Sequence, residues 1–314
     1  MTPTLDGIHH VTAIAGDPQA NFDFYAHVLG LRLIKRTINF DDPGTYHLYY
    51  GDGVGSPGTI LTFFPWPHAA RGRVGSGQAA ALALSVPPHA LPFWRDRFTH
   101  YSIPFGEGDP RFGALALTLE DPHGLPLEIV ASRQPDPRLG WPEGPIAPEY
   151  ALRGVESVTL SLADPTQTDL LLTDLLGFRT LGSEGRRTRY ALANGQPGAF
   201  LDVLHAPSMP AGTSGAGTIH HVAFRTHDDD RQNLWMAALK EADVPVSPVR
   251  DRQYFHSLYF HEPGRVLFEI ATDTPGFATD EEMAHLGERL CLPAWLEPQR
   301  ALVESSLPPL NTAL

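Results

Sequence analysis

Two His-His doublets stand in almost the same setting, Ile8-His9-His10-Val11 and Ile219-His220-His221-Val222. Each lies in a short apolar run that reads as a strand. Neighbouring strand residues point to opposite faces, so one histidine of each doublet is expected to face the interior and the other not. Glu269 completes the pattern. It lies between Phe268 and Ile270, after the turn signal Glu262-Pro263-Gly264, in the same stretch of chain as His221. A carboxylate between large apolar strand residues is costly unless it is paired or bound to a cation. Two neutral imidazoles and one carboxylate, with coordination positions left over, are the facial set of a non-haem Fe(II) oxygenase. An isolated strand histidine is more often structural than a ligand. The repeated doublet with its matching acid makes His10, His221 and Glu269 an expected metal site.

Other residues carry weaker signals. Glu128, in Leu127-Glu128-Ile129, and Asp202, in Leu201-Asp202-Val203, occupy places like that of Glu269. Their own repeats have no first-strand histidine, so both read as structural acids left from duplication. His47, in Thr45-Tyr46-His47-Leu48-Tyr49-Tyr50, stands open between a pocket residue and a satisfied strand histidine. Cys291 reads as a small apolar filler in a terminal helix.

Positioning such a set requires a repeated scaffold, and the chain contains one. Four times a short apolar strand is followed by a helix and then by strands that close on an aliphatic-acidic-aliphatic triplet or its like. The first copy opens at Ile8. Its helix is expected to start at Asp17 as N-cap with Pro18 at the first helical position and to stop at Gly30. The second runs from a strand near Ala80–Val86 through a helix at Leu91–Tyr101 to Leu125–Ala131. The third opens at Val155, with a helix starting at Asp164-Pro165. The fourth opens at Ile219, with a helix at Asp229–Ala242 and strands near Ser257–His261 and Val266–Thr272.

A proline-rich stretch, 135–153, reads as an extended linker. The expected organisation is therefore an α+β protein with two domains, 1–134 and 154–276, each pairing its own two repeats. Residues 277–314 follow as a C-terminal extension with short helices near 280–287 and 293–304. The loops Pro65–Gly77 and Asp202–Gly217 are expected to shape the pocket.

Composition excludes several function classes. The formal charge is −13, from 23 basic and 36 acidic residues, which argues against a nucleic-acid surface and gives no polybasic membrane signal. One cysteine precludes an internal disulfide framework and fits a reducing cytoplasm. The N-terminus lacks the basic residue and apolar run of a secretory signal, and no stretch approaches the ~18 apolar residues of a membrane helix. Assembly into a homo-oligomer is left open.

A βαβββ unit repeated in this way resembles the vicinal oxygen chelate proteins, in which paired units curl into open β-barrel-like domains around a metal. The chain more closely resembles the ring-cleaving dioxygenases that open para-hydroquinones. That likeness rests on Ile8 to Thr12, Tyr46 to Tyr50 with Gly55-Ser56-Pro57-Gly58-Thr59, Ile219 to Phe224, and Asp251-Arg252 through Tyr259 to Phe268-Glu269. It implies iron ligands at His10, His221 and Glu269, with His9, Thr12, His220, Arg252 and Tyr259 acting beside them. It also implies an Fe(II) cofactor, with Mn(II) as the alternative ion, O₂ as co-substrate and a small hydroquinone-like aromatic substrate. Catechol-cleaving relatives take both histidines from the third and fourth units, and Ser157 at the third-unit position departs from that pattern. Two other readings compete. One is a glyoxalase-like isomerase or lyase, which usually needs four protein ligands. The other is a non-catalytic binding protein for aromatic compounds.

Overall fold

The computed structural model describes residues 3–193 and 195–313. Each repeat supplies four strands. The first gives β1 (Ile8–Ala15), β2 (Arg32–Asn39), β3 (Asp42–Gly51) and β4 (Ile60–Pro65). The second gives β5 (Gln78–Val86), β6 (Phe105–Arg111), β7 (Ala114–Glu120) and β8 (Pro126–Ala131). The third gives β9 (Gly154–Leu162), β10 (Arg179–Glu184), β11 (Arg187–Ala191) and β12 (Phe200–His205). The fourth gives β13 (Thr218–Thr226), β14 (Arg250–Asp251), β15 (Phe255–His261) and β16 (Leu267–Pro275).

One helix follows the first strand of each repeat: α1 (Pro18–Phe22), α2 (Leu91–His100), α3 (Thr166–Leu170) and α4 (Asp229–Glu241). The first and third continue as π-helical turns, Asp23–Val28 and Leu171–Leu175. Asp17 caps α1 as its side chain accepts from the Ala20 amide, and Asp228 does the same for α4 through Arg231.

The strands form two eight-stranded sheets, ordered β14-β15-β16-β13-β1-β4-β3-β2 and β10-β11-β12-β9-β5-β8-β7-β6. The α+β architecture of four paired units is therefore as expected, but the partners differ. The first unit pairs with the fourth through β1 and β13, and the second with the third through β5 and β9, both antiparallel. The division into 1–134 and 154–276, each pairing its own repeats, is corrected accordingly.

The reason lies in the two segments expected to shape the pocket. They carry the chain from one sheet to the other and back, lying against each other with bridges Arg71↔Ala216, Arg73↔Thr213 and Ser76↔Ala211. Their backbones approach more closely than side chains permit. A Cβ on Gly75 would sit 2.4 Å from the Gly212 nitrogen, and one on Gly215 would sit 2.4 Å from the Ala70 oxygen. Glycine at these points lets the crossovers pack together.

The proline-rich segment joins β8 to β9 within one sheet, so it does not separate two bodies. It is packed down by buried Ile146, Ala151 and Leu152, and Arg138 donates to the Gly58 carbonyl at 2.8 Å. The apolar faces of both sheets and the helices share one core, with Trp94, Trp235, Phe98 and Phe224 fully buried. After β16 the chain forms short 3₁₀ turns and one helix, α5 (Arg300–Ser306), shorter than the two helices expected. This extension runs beside β2, where Leu290 bridges to Arg36 and the Cys291 amide donates to the Arg36 carbonyl. Cys291 is buried, as expected, but lies outside any helix and 3.8 Å from Lys35 Nζ. Among the described residues no helix is long and apolar enough to cross a membrane.

Candidate active site

The junction of β1 and β13 builds the site. Thr12 lies opposite His221, and Ala223 opposite His10. The register slips at two places, and the extra residues are His9 on β1 and His220 on β13. Each doublet thus contains a bulge, which breaks strict alternation and re-aims a side chain. The expectation that only one histidine of each pair faces inward holds for the first doublet, where His10 lines the cavity and His9 does not, and is corrected for the second, where both line it. His220 lines the cavity together with His221 and His10. His9 is buried behind His10, with its Nδ1 2.9 Å from His10 Nδ1, and His220 Nδ1 lies 2.8 Å from His221 Nδ1.

The outward nitrogens converge. His10 Nε2 lies 3.3 Å from His221 Nε2 and 3.5 Å from Glu269 Oε2, and His221 Nε2 lies 2.9 Å from the same oxygen. All three residues are buried. Oε2 has no hydrogen-bond donor aligned with it, whereas Oε1 accepts from Ser257 Oγ at 2.5 Å. An orphaned buried carboxylate oxygen facing two imidazole nitrogens in a closed triangle fits a cation. Atoms that bind one ion at about 2.0–2.2 Å in adjacent positions stand roughly 3 Å apart. For each inner histidine to offer Nε2, its Nδ1 must carry the proton and donate it to the outer histidine, which fixes the tautomer.

Electrostatics favour the same forms. Burial, then the neighbouring imidazole, drives His9 down to about 3, so it is neutral, and desolvation by the cavity wall, then His221, lowers His220, whose side chain is open to the cavity. Burial also lowers His221. Burial alone would raise Glu269, but the facing imidazoles outweigh it and hold the carboxyl well below its ordinary range.

Tyr259 stands opposite Glu269 across β15 and β16. Its ring lies edge-on to His221, and its oxygen accepts from Arg252 Nε at 3.2 Å. Arg252 also pairs with Asp41, Nη1 to Oδ2, at 3.0 Å. Thr12 shares a hydrogen bond with Thr62 at 2.8 Å. His47 is a pocket residue: its Nε2 lies 2.8 Å from Thr62 Oγ1 and its Nδ1 lies 2.8 Å from Tyr49 Oη. The cavity measures about 280 Å³, and Phe40, Phe64, Trp66 and Phe255 supply aromatic wall. A cavity of roughly 150 Å³ already accepts a benzene ring. The two crossovers contribute only Trp66 to this lining.

Four residues were missed from sequence. Ser257 sits two residues before Tyr259 on β15 and therefore shares its face, diagonal to Glu269. Tyr49 and Thr62 are cross-strand partners. Phe255 packs against both His9 and His10. The detectable signal was period-two spacing: His47 with Tyr49 on β3, and Ser257 with Tyr259 on β15.

The second sheet shows what became of the matching positions. Thr62, Glu128, Asp202 and Glu269 pair with Thr12, Ala83, Thr159 and Ala223 on the four first strands. Asp202 accepts from Arg189 Nε and Nη2 at 2.7 and 2.9 Å, and Glu128 is paired with Arg111. Guanidinium groups neutralise these two acids, in agreement with their structural reading.

A model of the Glyoxalase/Bleomycin resistance protein/Dioxygenase superfamily matches residues 7–129 and 163–270. The chain belongs to this superfamily. Among the superfamily's proteins it is 46% identical over 309 residues to one from Bacillus subtilis (strain 168) named "Putative ring-cleaving dioxygenase MhqO", covering 98% of each. It is 34% identical over 304 residues to the "Chlorohydroquinone/hydroquinone 1,2-dioxygenase" of Sphingobium indicum, covering 93% of each. A solved structure described as a putative dioxygenase from B. subtilis superposes with a TM-score of 0.95 at 45% identity, covering 99% of each chain. Glyoxalase I from Zea mays shares the fold, with a TM-score of 0.64 at 14% identity over 85% of this chain and 92% of that one.

Proposed function

We propose that the protein is a ring-cleaving dioxygenase that opens a hydroquinone between adjacent ring carbons, with His10, His221 and Glu269 holding Fe(II). The observation that carries this reading is Thr62. The site lies between two related units, and a four-ligand version would bear a carboxylate on β4 to match Glu269 on β16. Thr62 stands there instead, and its hydroxyl is engaged by Thr12 and His47. Three protein ligands of this His-His-carboxylate type are the facial set of Fe(II) oxygenases, and on a six-coordinate ion they leave one more position for substrate and O₂ than a glyoxalase-type site with four protein ligands.

The relatives named as ring-cleaving and hydroquinone 1,2-dioxygenases support the same substrate class. Fe(II), when bound, provides the path by which ring electrons reach O₂ despite the spin barrier to their direct reaction. The chain's own residues do the rest. Phe255, Phe64 and Trp66 enclose the ring and exclude water. His9 and His220 fix the ligand imidazoles through their Nδ1 atoms. Tyr259 offers its hydroxyl to oxygen at the ring-opening end, with Arg252 beside it to stabilise negative charge.

The test is anaerobic reconstitution with Fe(II), Mn(II), Zn(II) and Ni(II), each followed by oxygen uptake with hydroquinone and with catechol. Isomerase activity on methylglyoxal with glutathione is assayed in parallel. Uptake with hydroquinone on the Fe(II) or Mn(II) enzyme is expected. Uptake with catechol alone overturns the substrate, and isomerase activity on Ni(II) or Zn(II) without uptake overturns the reaction.

A further inference from the structure

Four side chains on three neighbouring strands form an unbroken hydrogen-bonded chain: Tyr49 Oη to His47 Nδ1, His47 Nε2 to Thr62 Oγ1, and Thr62 Oγ1 to Thr12 Oγ1. Each link is 2.8 Å. Its two ends, Thr12 and Tyr49, both line the cavity, as does His47, while Thr62 is fully buried behind the wall. The strand register accounts for it. Thr62 lies opposite Tyr49 on β3 and beside Thr12 on β1, and His47 is two residues from Tyr49 on the same face. None of this is needed to hold the three proposed ligands, whose remaining polar atoms are engaged by His9, His220 and Ser257.

We propose that Tyr49, His47, Thr62 and Thr12 are a proton relay joining two points on the wall of the substrate cavity. The inference rests on a dihydroxy-ring substrate as proposed above and adds how its two oxygens exchange a proton. Every member is both donor and acceptor, so the chain has two neutral states of opposite direction. In one, Tyr49 donates to His47 Nδ1, Nε2–H donates to Thr62, Thr62 donates to Thr12, and Thr12 donates into the cavity. A proton given up by the ligand at the Tyr49 end passes each hydrogen one link along. Thr12 then releases its own hydrogen to the ligand at the other end. His47 is left protonated on Nδ1 instead of Nε2. One proton enters and one leaves, no group becomes charged, and passage in the reverse direction restores the first state.

The neutrality suits a half-buried histidine in a largely apolar cavity wall. Burial holds His47 well below its ordinary value, so a relay through an imidazolium would be costly, whereas a change of tautomer is not. A hydroquinone carries its two hydroxyl groups at opposite ends of the ring. It must lose a proton where it binds as a phenolate, and its second oxygen changes protonation as the ring opens. Tyr49 and Thr12 exchange the proton with substrate, and His47 and Thr62 carry it between them.

The experiment has two arms. In the first, ¹⁵N-histidine-labelled protein without metal is examined by long-range ¹H–¹⁵N correlation. His47 is expected as a neutral ring with both nitrogens hydrogen-bonded. Its Nδ1 signal should move in Tyr49→Phe and its Nε2 signal in Thr62→Val. Unmoved signals overturn the relay whether or not the enzyme turns over. In the second, Fe(II)-loaded enzyme is assayed with hydroquinone in H₂O and D₂O. Thr62→Val should lower kcat by about 100-fold or more, abolish the solvent isotope effect and leave KM and metal content within about twofold. Thr62→Ser, which restores the hydroxyl, should recover most of the rate. A Thr62→Val enzyme with unchanged kcat and isotope effect overturns the relay, as does one whose loss is confined to KM or metal content. Absence of oxygen uptake by the wild-type protein instead tells against the proposed reaction, and the relay is then judged by the first arm.

Discussion

Ser257 Oγ donates to Glu269 Oε1 at 2.5 Å, so the other oxygen of that carboxylate is the one turned towards His10 and His221. The serine is fully buried one strand away from the acid. It holds the carboxylate plane and takes up the lone pairs that do not face the imidazoles. Outer partners of this kind commonly tune metal affinity by about 10–100-fold. Ser257→Ala should therefore weaken metal binding by roughly that factor, and His221→Ala should abolish retention. Competition against a chromophoric chelator measures both. An affinity within twofold of wild type for Ser257→Ala would show that Glu269 needs no such support.

The contrast between these residues shows where sequence reading succeeds. His10, His221 and Glu269 were legible because duplication places like residues at like positions, and a buried acid between apolar neighbours is conspicuous. The unit pattern was legible for the same reason. The pairing of units was not, because the period and the succession of strands along the chain are the same whichever units pair. The choice is made by the crossovers, where Gly75 meets Gly212 and Gly215 meets Ala70 through backbone alone. The bulges at His9 and His220 were equally hidden, since a one-residue slip leaves no mark on composition. Ser257, Tyr49 and Thr62 are ordinary strand residues whose importance depends on the neighbour across the ladder.

Arg252 serves two partners with different nitrogens, Tyr259 through Nε and Asp41 through Nη1. A lysine keeps the charge but cannot hold both in one geometry. Asp41 is largely exposed, so its half of the arrangement contributes little. The contact with Tyr259 is partly buried and matters more. Burial, and then the Glu269 carboxylate, push the Tyr259 phenol upward, so it remains a hydrogen donor. Losing one hydrogen bond to a charged group costs about 1.5–3 kcal/mol, which converts to roughly a ten- to hundredfold fall in kcat. Arg252→Lys should show this loss in steady-state oxygen uptake, and Asp41→Asn should stay within about threefold of wild type. Equal rates for wild type and Arg252→Lys would assign the arginine to packing.

Glu156 stands where β1 and β13 carry their outer histidines, and burial raises its carboxyl to about 7. Its Oε2 is buried without a hydrogen-bond partner. The folded protein therefore keeps a proton that the unfolded chain releases near the ordinary value of 4.5. Between those two values the unfolded state binds fewer protons, so stability falls as pH rises. The full contribution is present below pH 4.5 and is lost by about pH 7, a change on the order of 3 kcal/mol. Glu156→Gln should remove that slope and be the more stable form at pH 8. Urea denaturation of both proteins at pH 5 and pH 8 decides the matter, and a stability difference independent of pH would refute it.

The second sheet tests whether its acids serve structure alone. Asp202 is almost wholly buried and receives two bonds from Arg189, with Arg187 Nη1 a further 3.4 Å away. Removing the carboxylate leaves Arg189, which is largely out of water, without its hydrogen-bonded counter-charge. Breaking a buried pair in this way typically costs about 3–5 kcal/mol. Asp202→Ala should lose stability of that order in urea, while the folded protein retains its metal in full. Replacing both partners, as in Asp202→Leu with Arg189→Met, should restore most of the loss, because two apolar side chains of similar size carry no desolvation penalty. Metal analysis of the folded variants supplies the opposing outcome. An Asp202→Ala protein that keeps its stability but loses half its metal would show that the second sheet binds an ion of its own.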